Sequence, residues 1–84
     1  MSEQEIPEAF WDRADEIIRL ANQQVETSSL GKVSASLLYA AARFNSFTVA
    51  STAGSMEDMK DEKEEAIQYF TDQFRNMLEE NLDD

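Results

Sequence analysis

Residues 32–54 read KVSASLLYAAARFNSFTVASTAG. Past Lys32 the only charge is Arg43, in a chain with eighteen Asp and Glu against seven Lys and Arg. Val33, Leu37, Ala40, Phe44 and Phe47 recur at four- and three-residue spacing, the period of a helix with a packed seam. At about 100 degrees per residue, Leu38, Ala42, Val49 and Ala53 make a second apolar face roughly opposite the first. Ala41 and Thr48 bridge the two. Lys32, Ser36, Tyr39, Arg43 and Ser46 leave only a narrow polar strip. One neighbour covers one side of a helix, so a helix apolar on nearly all sides is expected at the centre of the fold. A membrane span competes with this reading. It needs about 20 predominantly apolar residues, whereas Arg43 and Asn45 sit mid-stretch here and Ser and Thr recur throughout.

Outward on the N-terminal side, TSSLG at residues 27–31 breaks the pattern. Ser28 or Ser29 can cap the central helix, and Gly31 loosens the backbone before it. The Gly-Lys pair lacks the first glycine and the preceding strand of a phosphate loop. Before this break, Phe10, Ala14, Ile17 and Ala21 form one stripe, flanked by Trp11, Ile18 and Val25. Asp12, Asp15, Arg19, Asn22 and Glu26 take the other side, so residues 7–27 read as an amphipathic helix. Pro7 suits its first turn, where a missing N–H costs nothing. Trp11 lies on the stripe and is assigned to packing rather than to ligand stacking.

On the C-terminal side, Gly54 is placed to end the central helix in a left-handed conformation. Ser55 with Asp58 resembles a capping box for the next helix. A link this short makes the second and third helices antiparallel neighbours. In the third helix, at about residues 56–81, Met59, Ala66, Ile67, Phe70, Phe74, Met77 and Leu78 share a face with the stem of Lys63. Glu57, Asp58, Asp61, Glu62, Glu64, Glu65 and Asp72 lie outside it.

The chain has 84 residues and no Cys or His. That length supports one domain, residues 1–84, hiding only about 60% of its extended surface. Without Cys there is no disulfide and no thiolate chemistry. Without His the commonest general base and metal ligand are gone. The net charge of -11 opposes direct binding to nucleic acid or to an anionic membrane, since each phosphate contact needs a Lys or Arg. Acidic solubility accounts for the charge without a partner. The opening MSEQEIPEAF lacks the basic-then-apolar pattern of a secretion signal, so the cytoplasm is the expected location.

Asp58, Asp61, Glu62 and Glu65 share one helical side and are the densest candidate for a metal. Calcium sites, however, use a loop with varied oxygen ligands, and di-iron bundles use Glu-x-x-His. Lys60 and Lys63 also interrupt the block, which reads as a solvated surface. Paired carboxylates need a cleft to separate their pKa values, and no base stands ready for the hydroxyls. No catalytic, cofactor or metal residue is therefore assigned, and the chain reads as a non-enzyme. Arg43 is read as one half of an ion pair, since no second basic residue shares an anion with it.

Three segments, IPEAFWDRADEIIRLAN, GKVSASLLYAAARFNSFTVAS and EEAIQYFTDQFRNMLEENLDD, together resemble a small proteobacterial family of uncharacterised proteins, domain of unknown function 3144. The resemblance implies a self-contained domain and brings no site residues with it.

The resulting expectation is an all-α, three-helix domain with helices at about 7–27, 32–53 and 56–81 and a nearly all-apolar middle helix. Helices one and three are expected to cover its Val33, Leu37, Phe44 and Phe47 side. Leu38, Ala42, Asn45, Val49 and Ala53 are then left as a dimer interface, with Asn45 setting the register. The expected function is a homodimeric protein-interaction or regulatory module whose partners are itself and another protein. One alternative is an acidic, nucleic-acid-mimicking decoy for a basic partner. Another is a small bundle holding an apolar ligand between Phe44, Phe47, Phe70 and Phe74.

Overall fold

The computed structural model describes residues 7–54 and 56–83, with the side chains at 56, 58 and 59 excepted. The chain is all-α. Its elements are α1 (Pro7–Val25), α2 (Leu30–Thr52) and α3 (Met56–Leu82). They fall into two compact units, Met1–Ala42 and Arg43–Asp84, divided within α2.

In the first unit, Pro7 opens α1 and Glu8 lies in its first turn, where the free N–H groups favour a carboxylate. The helix stops at Val25, two residues before the expected end. There the N–H groups of Glu26, Thr27 and Ser28 reach the carbonyls of Gln23, Gln24 and Val25 at 3.1–3.2 Å. Three successive i to i−3 bonds tighten the last turn and use carbonyls that the helix would otherwise leave unpaired.

The start of α2 is set by Ser29, whose Oγ accepts the Lys32 N–H at 3.2 Å, while its carbonyl accepts the Val33 N–H at 3.0 Å. This is an N-cap. It brings the helix start forward to Leu30, so Gly31 lies inside the first turn rather than before it. Val33 is the one buried apolar residue of the described chain, at 8% exposure. Ala9, Ala14, Ala21 and Val25 of α1 are half-buried. Small side chains thus line the covered side of this unit, and the larger Phe10, Trp11, Ile17 and Ile18 stay exposed.

In the second unit, Asn45, Val49 and Ala53 are half-buried along one stripe. So are Glu62, Ala66, Phe70 and Gln73 along one stripe of α3. The last helical bond at the end of α2 runs from the Ala53 N–H to the Val49 carbonyl at 3.1 Å. The left-handed Gly54 expected from the sequence is not found: no glycine among the described residues has a positive φ. The helical bonds of α2 already run to Ala53, and Gly54 leaves the helix as a bend. The Ser55–Asp58 cap lies outside the described residues.

Candidate interaction surface

Within each unit only part of α2 is covered. Val33 is covered in its first turn, and Asn45, Val49 and Ala53 are half-covered in its second half. The seam read from the sequence is therefore covered only at its start. Leu37 is 40% exposed, Phe44 67% and Phe47 66%. The physical reason is that a single neighbour covers a single stripe. In the second unit that stripe runs through Asn45 and Val49, not through the two phenylalanines.

The five residues placed at a dimer interface divide accordingly. Leu38, at 57%, and Ala42 are exposed, whereas Asn45, Val49 and Ala53 are half-buried within the chain itself. Of the four rings placed around an apolar ligand, Phe44, Phe47 and Phe74 are exposed and Phe70 is half-buried. Arg43 is exposed.

Three exposed hydroxyls in the second half of α2 bond back onto its own backbone. Thr48 Oγ1 donates to the Asn45 carbonyl at 2.7 Å. Ser51 Oγ donates to the Phe47 carbonyl at 2.9 Å, and Thr52 Oγ1 to the Val49 carbonyl at 3.1 Å. A hydroxyl bonded back onto its own helix needs no further partner for its proton. The second half of α2 is thus less polar in effect than its composition suggests. Between Leu30 and Thr52 there is no carboxylate. Sequence reasoning missed the exposure of Phe44 and Phe47, because their seam spacing is the same whether a neighbour is present or not.

Among the described residues little else is built as a site. Among the described residues no group of three or more carboxylates is disposed to hold a metal ion. A hollow lined by Asp12, Arg13, Asp15, Glu16 and Arg19 runs along the polar side of α1. All five side chains are charged and exposed, so it offers a small molecule no apolar wall. Phe10 and Trp11 meet edge to face with centroids 4.8 Å apart, as do Tyr69 and Phe70 at 5.1 Å. These contacts between adjacent residues settle ring orientation without enclosing anything. Among the described residues no helix is long and apolar enough to cross a membrane.

A family model described as "Protein of unknown function (DUF3144)" matches residues 10–84. The chain belongs to the DUF3144 family. No curated protein and no solved structure matches it. In this DUF3144 chain the matched region begins at Phe10 and takes in all of α2 and α3. The exposed apolar side of α2 therefore lies within the family's domain.

Proposed function

We propose that this DUF3144 chain is a non-enzymatic protein-interaction module that works as a homodimer in the cytoplasm. The observation that carries the reading is the extent of its apolar exposure. Only Val33 is buried among the described apolar residues, while aromatic and aliphatic side chains on all three helices stay open to solvent. The lack of Cys and His supports a binding role over a catalytic one.

Light scattering on a sizing column tests the reading. The expected mass is that of two chains throughout the micromolar range. A folded monomer that persists at every concentration would remove it.

A further inference from the structure

We draw no further inference here: the strongest candidate, the surface patch of exposed apolar side chains Ile67, Phe74, Met77 and Leu78 on α3, is one of several such patches spread over all three helices, and nothing in the structure shows what covers it.

Discussion

Ser29 and Gly31 act within two residues of each other and pull in opposite directions. Ser29 satisfies the Lys32 N–H, one of the donors that a helix start leaves unpaired. Ser29→Ala is expected to cost about 1 kcal/mol, read as a lower urea midpoint with an unchanged slope at fixed protein concentration. Gly31 contributes no contact. A methyl group there would meet nothing within 4 Å, and no positive φ among the described residues requires a glycine. Gly31→Ala should therefore stabilise the chain by about 0.5–1 kcal/mol, chiefly by narrowing the unfolded ensemble. A destabilised Gly31→Ala would mean that this backbone is not helical in solution.

The helices differ in what holds them. α1 and the start of α2 depend on small covered residues around Val33. Val33→Ala should cost about 1.5 kcal/mol for two buried carbon groups, and the same urea titration measures it. Loss of much less would show that Val33 is not buried in solution. α3 carries two local side-chain pairs. Gln68 Nε2 donates to Asp72 Oδ1 at 3.0 Å, and Arg75 Nε lies 3.4 Å from Glu79 Oε2. Both pairs are exposed and four residues apart, so each contributes only a few tenths of a kcal/mol. Such pairs are too weak to hold a helix of 27 residues, which needs a packed face for its stability. Its exposed Ile67, Phe74, Met77 and Leu78 supply the apolar side for one.

For the whole molecule, association and stability should be one measurement. If each copy leaves this much apolar surface uncovered alone, unfolding releases two chains, and Tm depends on protein concentration by mass action. Thermal melts followed by circular dichroism over a hundredfold dilution should show Tm falling with dilution. At one protein concentration, Tm should rise with added salt, because screening lowers the repulsion between two acidic copies. A Tm independent of concentration would place the stability in the single chain.

The helices and their ends were legible in the residues because their causes are local. Pro7, the 3.6-residue recurrence through Val33 and Leu37, and the Ser-rich break before α2 each act within a turn or two. They place the observed helix ends within about two residues, where the expected and observed boundaries differ by capping and a tightened last turn. That α2 would have two apolar sides was equally legible, since it is a matter of wheel positions. Which side is covered, and where along the helix, was not. Phe44 and Val49 are both apolar and both recur at helical spacing, yet one is exposed and the other half-buried. That choice depends on the direction in which a neighbouring helix leaves its turn, and a turn's geometry at Gly54 is not encoded in the periodicity of α2. The sequence by itself determined three helices and an acid-free central one. Only the tertiary structure decided that Phe44 and Phe47 stay open, because burial belongs to a pair of surfaces and a sequence describes them one at a time.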